Sequence, residues 1–299
     1  MCKFVGLVVF NDTMIEQSTN RTINIKGRLV DFSTPMVMGI VNITPDSFYS
    51  GSRTGGVAQA VSRAVQVVEQ GADIIDIGGQ STSPTSTMLT PQEELERLVP
   101  VLKEIHREMS DAVISVDTFY ADVARTVVEE YGVAMINDVS GGQIDERMFE
   151  TVAQLQVPYI LMHMRGVPQT MQKLTHYDNL MQDILFYFSE KVSQLQQLGV
   201  NDIIIDPGFG FSKTTDQNYE LMQNLKYFDI FDYPLLVGIS RKSMIYRHLG
   251  GTPEESLNGT TVLNSWSLLN GADILRVHDV KEAVEAVELI HKIHNPYKE

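Results

Sequence analysis

The stretch MVMGIVNITPDSFYSG, residues 36–51, decides how the chain is read. Residues 36–41 form a short, β-branched apolar run bounded by Pro35 and Asn42, the pattern of a buried strand rather than a helix. The run then breaks into Asn42, Thr44, Pro45, Asp46 and Ser47, with Phe48 among them. A strand whose carboxyl end opens into an amide, hydroxyls, a carboxylate and one aromatic is built to meet a ligand. Ordinary turn chemistry would account for this one loop equally well.

The recurrence of the pattern shifts the balance. Residues 73–77 lead into Gly78-Gly79-Gln80-Ser81-Thr82, residues 112–116 into Asp117-Thr118, and residues 133–136 into Asn137-Asp138. Residues 157–162 lead into His163-Met164-Arg165, and 202–205 into Asp206-Pro207-Gly208. Residues 234–237 precede Gly238 and Ser240-Arg241-Lys242, and 273–275 precede Arg276-Val277-His278. With the opening stretch this makes eight candidate strands, with helical patterns between them. Strands alternating with helices give right-handed βαβ units and a parallel sheet. Eight of them predict a (β/α)8 TIM barrel with its active site at the carboxyl ends of the strands. A doubly wound open sheet would bind at one switch point and would not need polar residues after every strand.

Composition sets the bounds. At 299 residues and 43% apolar, the chain is sized for one barrel domain, placed at 23–299. Residues 1–22 show no convincing pattern and are set apart as an N-terminal extension, with neither a cleavage site nor a membrane span recognisable in the chain. Residues 22–32 alternate around Gly27 and predict a small N-terminal β-hairpin plugging the amino-terminal end of the barrel. A single cysteine, Cys2, fits a reducing cytoplasm. The net charge of −15 argues against nucleic acid. Against that acidity, the cations Lys213, Arg241, Lys242, Arg276 and His278 near strand ends suggest an anion site, unless neighbouring acids pair with them.

Residue chemistry sharpens the expectation. Asn42 offers an oxygen to a hard cation, although a lone Asn at a strand end is more often a turn former. Phe48 could cover a flat aromatic. Asp117, Asn137 and Asp206 could converge on a heterocycle rich in N–H donors; for Asp117, a helix cap or an ion pair would account for the residue equally well. His163, between Met162 and Met164, reads as structural. Phe211 closes a glycine-rich run suited to a flat ligand. Ser240 is a plausible N-cap for a helix starting near Arg241. Arg276 and His278 are in phase on a strand end, and Arg gives a forked grip on phosphate.

The segments GIVNITPDSF, DIIDIGGQST, ISVDT, MINDVSGG, LMHMRG, IDPGFGF, SRKSM and LRVHDV, in this order, resemble the dihydropteroate synthases, the folate-pathway enzymes that sulfonamides target. The resemblance implies a cytoplasmic, homodimeric transferase that condenses p-aminobenzoate with (7,8-dihydropterin-6-yl)methyl diphosphate, by an SN1-like path, giving 7,8-dihydropteroate and pyrophosphate. It implies a catalytic set of Asp117, Lys242, Arg276 and His278, and pterin binding by Asp117, Asn137, Met162, Asp206, Phe211 and Lys242. Pyrophosphate would fall to Asn42, Arg276 and His278, with Mg2+ at Asn42. The p-aminobenzoate, and sulfonamides as competitive inhibitors, would fall to Phe48, Thr82, Pro84, Ser240 and Arg241. The chain departs from the usual pattern in having Gln80 for Glu, Ser83 for Arg and Tyr49-Ser50-Gly51 for Ser-Asp-Gly. Two alternatives stand beside this reading: a pterin-binding methyltransferase acting on methyltetrahydrofolate, and a non-catalytic pterin-binding paralogue.

Overall fold

The computed structural model describes residues 21–43, 53–80 and 87–297. The chain opens with the hairpin of β1 (Thr22–Ile25) and β2 (Arg28–Asp31), paired antiparallel from Thr22↔Asp31 to Ile25↔Arg28. Lys26 and Gly27 both take positive φ, +51° and +81°, the two-residue primed turn whose twist matches antiparallel strands. Arg21, ahead of the sequence boundary at 23, is already packed into the domain: it is buried and bonded to Asp273 and Asp229 at 2.9 and 2.8 Å.

Eight parallel strands follow: β3 (Met36–Asn42), β4 (Ile74–Gly78), β5 (Ile114–Asp117), β6 (Met135–Asp138), β7 (Tyr159–Met162), β8 (Ile203–Asp206), β9 (Leu236–Val237) and β10 (Ile274–Val277). Their order is β8-β7-β6-β5-β4-β3-β10-β9, and a parallel bridge between Ile205 and Leu235 closes the ring. The helices are α1 (Arg53–Glu69), α2 (Pro91–Glu108), α3 (Ala121–Tyr131), α4 (Met148–Leu155), α5 (Leu180–Gln197), α6 (Thr215–Gln223), α7 (Ser243–Leu249), α8 (Leu257–Leu269) and α9 (Val280–His294). This is the (β/α)8 barrel predicted, with the hairpin at its amino-terminal end.

Several strands run one or two residues past the positions read from the sequence. Gly78 pairs with Asp117, Asp117 with Asn137, and Met162 with Asp206. The polar residues therefore finish the ladder instead of following it. Ladder hydrogen bonds use backbone groups, so the side-chain change from apolar to polar does not end a strand.

Period-two alternation sorts every strand into two faces. Val37, Val41, Ile75, Ile77, Ile136, Leu161, Ile205, Leu275 and Val277 face outward into the main core under the helices. Inside the barrel, Met38, Ile74, Met135, Ile160, Ile204, Leu236 and Ile274 form a second cluster with Ile23, Ile25 and Phe32 of the hairpin. The hairpin thus seals the amino-terminal end, each buried Ile or Phe contributing roughly 1.5–3 kcal/mol. Outward-facing Gly39 is required by close packing: a Cβ there would overlap Val67 of α1 and lie 2.9 Å from Val280 of α9.

Helix starts are written locally where side chains cap them. Thr90 and Glu93 form a full capping box with Pro91 at the first position of α2. The expected start near Arg241 is corrected: α7 begins at Ser243, with Lys242 at the cap position and no side-chain cap bond. Arg241 has φ +55°, a left-handed conformation that prevents helix from starting there.

Candidate active site

In phase with the apolar interior layer, and one step closer to the carboxyl ends, lie Asp76, Asp117, Asn137, Met162, Asp206 and Arg276. Strand pairing alone places three carboxylates, an amide and a guanidinium in one mouth. Arg276 Nε donates to Asp76 Oδ2 at 2.7 Å, and its Nη2 donates to Asp117 Oδ2 at 3.0 Å. Asn137 Nδ2 donates to the same Asp76 oxygen at 3.1 Å. The other Asp76 oxygen is buried with no hydrogen-bond partner. A buried, unpartnered carboxylate oxygen is costly unless a ligand donor meets it.

Asp206 Oδ1 accepts from the Gly208 amide at 2.8 Å. Lys242 reaches inward from the loop after β9; its ammonium donates to the Phe209 carbonyl and lies 4.7 Å from the Phe211 ring centre. Burial raises the Asp117 and Asp206 carboxyls above the usual carboxylate range, opposed by Arg276 and Lys242 respectively. Burial lowers Lys242 to about 8, with Asp206 working to keep it charged. Three carboxylates against two cations suit a flat ligand rich in N–H groups that acquires positive charge.

The structure does not bring every expected cation into this mouth. Lys213 is buried; its Nζ donates to Gly208 O and Phe211 O at 2.9 and 3.1 Å and shares a hydrogen bond with His163 Nδ1 at 3.0 Å, bracing the Gly208–Phe211 turn. His163 packs edge-on against Tyr187, and burial holds it well below its ordinary pKa, so it stays neutral. Arg241, expected near the p-aminobenzoate, forks Asp279 at 2.9 and 2.7 Å and donates to the Pro253 and Glu254 carbonyls. Ser240, expected as an N-cap, accepts the His278 amide at 3.1 Å. A partner 38 residues away outcompetes the local cap because the loops after β9 and β10 lie side by side. His278 is pushed down to about 4, first by burial and then by Arg276, so it is a neutral imidazole.

Asn42 ends β3 exposed. Its Oδ1 and the Asp117 Oδ2 lie 3.6 and 4.0 Å from where a Cβ on Gly78 would sit, so the glycine keeps a gap open between two oxygens. No cluster of three His, Cys, Asp or Glu able to cage a metal occurs among the described residues. One amide oxygen beside an open gap fits a magnesium ion that brings waters and substrate phosphates as its other ligands. Phe48, Thr82 and Pro84 lie outside the described residues, as does Ser83.

Sequence reading missed Asp76. Its signal was a charge inside the apolar run of residues 73–77, in phase with inward-facing Ile74. It also treated Gln80 only as a departure. Gln80 is buried: its Nε2 donates to Leu89 O at 3.3 Å and Glu94 Oε2 at 3.2 Å, while its Oε1 accepts from Leu89 N at 3.1 Å. The Thr118 hydroxyl also bonds to Glu94, whose carboxyl burial raises to about 7. A second carboxylate in place of Gln80 could not donate to either acceptor without a proton.

Comparison with known proteins bears on this site. The pterin binding enzyme family matches residues 38–278. The dihydropteroate synthase of Escherichia coli K12 is 40% identical over 267 residues, 89% of this chain and 94% of its own. The crystal structure of Yersinia pestis dihydropteroate synthase with a sulfonamide drug superposes with TM-score 0.84 at 39% identity, covering 92% of this chain and 99% of that one. The Xanthomonas albilineans dihydropteroate synthase with 4-aminobenzoic acid gives TM-score 0.85 at 35% identity, covering 92% and 98%.

Proposed function

The chain belongs to the pterin-binding enzyme family and is a dihydropteroate synthase, a transferase of folate biosynthesis, and on that premise we propose how its residues divide the work. The substrates are p-aminobenzoate and the dihydropterin carrying a methyl diphosphate at C6; sulfonamides compete for the aminobenzoate place. The observation that carries the assignment of roles is the inward layer of Asp76, Asp117, Asn137, Asp206, Lys242 and Arg276, which offers acceptors to the pterin N–H edge and charge control over its ring. Met162 and Phe211 line the flat faces.

The bond that breaks is C–O to diphosphate. Arg276 and neutral His278 take up the departing phosphate oxygens by hydrogen bonding, while Asp117, and Asp206 with it, stabilise the pterin carbocation left behind. Arg276 links the two halves of this charge separation, since its guanidinium already touches Asp117. Asn42 would hold Mg2+, which when bound neutralises diphosphate charge. The aniline nitrogen then attacks the methylene carbon and loses a proton. Phe48, Thr82, Pro84 and Ser240 contribute to the aminobenzoate place; Arg241, tied to Asp279, contributes by holding the Ser240 turn. No nucleophilic side chain is needed.

The same reading extends to two coarser matters. No helix among the described residues is long and apolar enough to cross a membrane, and a cytoplasmic location agrees with this. We propose a homodimer through α8 and α9, where Val262, Trp266, Leu289 and Ile293 are exposed. The deciding assay is pyrophosphate release from the purified protein with pterin diphosphate and Mg2+. Release that depends on p-aminobenzoate and yields dihydropteroate supports this function. Tight pterin binding without release overturns it in favour of a non-catalytic pterin binder.

A further inference from the structure

His278 is held at both of its backbone polar groups. Its N–H donates to Ser240 Oγ at 3.1 Å, and its carbonyl accepts from Arg63 Nη2 at 2.5 Å. Ser240 comes from the loop after β9, and Arg63 from α1, which follows β3. These are the two strands that flank β10 in the sheet, so the residue is clamped from both sides. Orientation matters here. A neutral imidazole offers one N–H and one lone pair, and it cannot compensate for misplacement with charge.

The charges around His278 are unequal in their commitments. Arg276, Asp279, Arg241 and Arg63 act on its ring. Arg276 is paired with Asp76 and Asp117, and Arg241 with Asp279. Arg63 is half-buried, donates to the His278 carbonyl and has no carboxylate partner among the described residues. Among the described residues, the positive charge at the end of β10 that is not paired with a carboxylate thus comes from a helix outside the inward-facing layer.

We propose that Arg63 is a positioning residue for the diphosphate leaving group: it fixes the backbone of His278 and adds positive charge where the phosphates depart. This rests on the reading that Arg276 and His278 receive the diphosphate. Arg63 does not need to touch substrate for either effect. A guanidinium held by a carbonyl keeps its full charge, and the remaining N–H groups strengthen the field at the anion.

The test uses the full chain, with Arg63→Gln, Arg63→Lys and, as a control on the site itself, His278→Ala. Inorganic pyrophosphate with Mg2+ is titrated calorimetrically, and 6-hydroxymethylpterin, which lacks phosphate, is titrated in parallel. The His278 ring is followed by NMR with labelled histidine. Arg63→Gln is expected to weaken pyrophosphate about tenfold, through loss of one nearby positive charge and of the clamp on the His278 backbone. It should also raise the His278 pKa and leave hydroxymethylpterin binding within about twofold. Arg63→Lys, which keeps the charge, should recover the pKa and part of the affinity. Unchanged pyrophosphate binding in Arg63→Gln with loss in His278→Ala overturns the role of Arg63 alone. No loss in either variant overturns the diphosphate site with it. A parallel loss of hydroxymethylpterin affinity marks a purely structural role and also overturns the proposal.

Discussion

The two ends of one barrel interior can be compared residue by residue. Within single strands, Ile74 faces the axis below Asp76, Met135 below Asn137, Ile204 below Asp206, and Ile274 below Arg276. Two residues of chain, about 6–7 Å of rise, separate a layer packed by the hairpin from a layer of charge. The lower layer has its partners within the protein. The upper layer is left with an unpartnered carboxylate oxygen, a lysine lowered to about 8 and two carboxyls raised by burial. The barrel places stability and chemistry at opposite ends, and the same alternation serves both.

If this division holds, changes in the upper layer should alter turnover, and changes in the lower layer should alter stability. Asp117→Asn should lower kcat by about 10²–10³-fold with only a few-fold change in pterin affinity, as expected for loss of transition-state charge stabilisation. Single-turnover kinetics with separate pterin binding would check it, and equal activity in the variant would remove the cation role. Ile23→Ala, at the plug, should cost roughly 2–4 kcal/mol in denaturant unfolding while kcat stays near that of the parent. A large loss of kcat in the folded variant would break the comparison.

The pH dependence sharpens it further. Lys242 is charged below about 8, so kcat/KM for the pterin diphosphate should fall as pH rises through that value, approaching tenfold per unit above it. Lys242→Arg should move that limb upward. His278 is already neutral above about 4 and should add no inflection near 6.5. The smallest effect is expected at Gln80→Glu, between the two regimes. The new carboxyl would sit beside Glu94, and one of the pair would have to keep a proton. Raised folded-state pKa values leave stability intact below the unfolded pKa near 4.3 and remove it as pH rises through about 7. Melting curves at pH 4 should therefore nearly coincide with the parent, and at pH 8 the variant should be less stable by about 1 kcal/mol. Equal stability at pH 8 would show that the Gln80 bonds to Leu89 and Glu94 matter little.

Much of this was local enough to read from the chain alone. Short β-branched runs spaced by helical patterns specify eight βα units. The Lys26-Gly27 turn specifies the hairpin, and Thr90-Pro91 with Glu93 specifies the start of α2, because each signal lies within a few residues of its effect. Strand phase, followed strictly, also assigns Asp117, Asn137, Asp206 and Arg276 to one interior, and would have assigned Asp76. Which of them pair was decided by closure of the barrel. Arg276 meets Asp76 and Asp117 across 200 and 159 residues, Arg241 turns to Asp279, and Ser240 leaves the helix start it was expected to cap for the His278 amide. Side chains of arginine and serine have several local options of similar energy, and the choice among them is made by partners that only the assembled ring brings within reach.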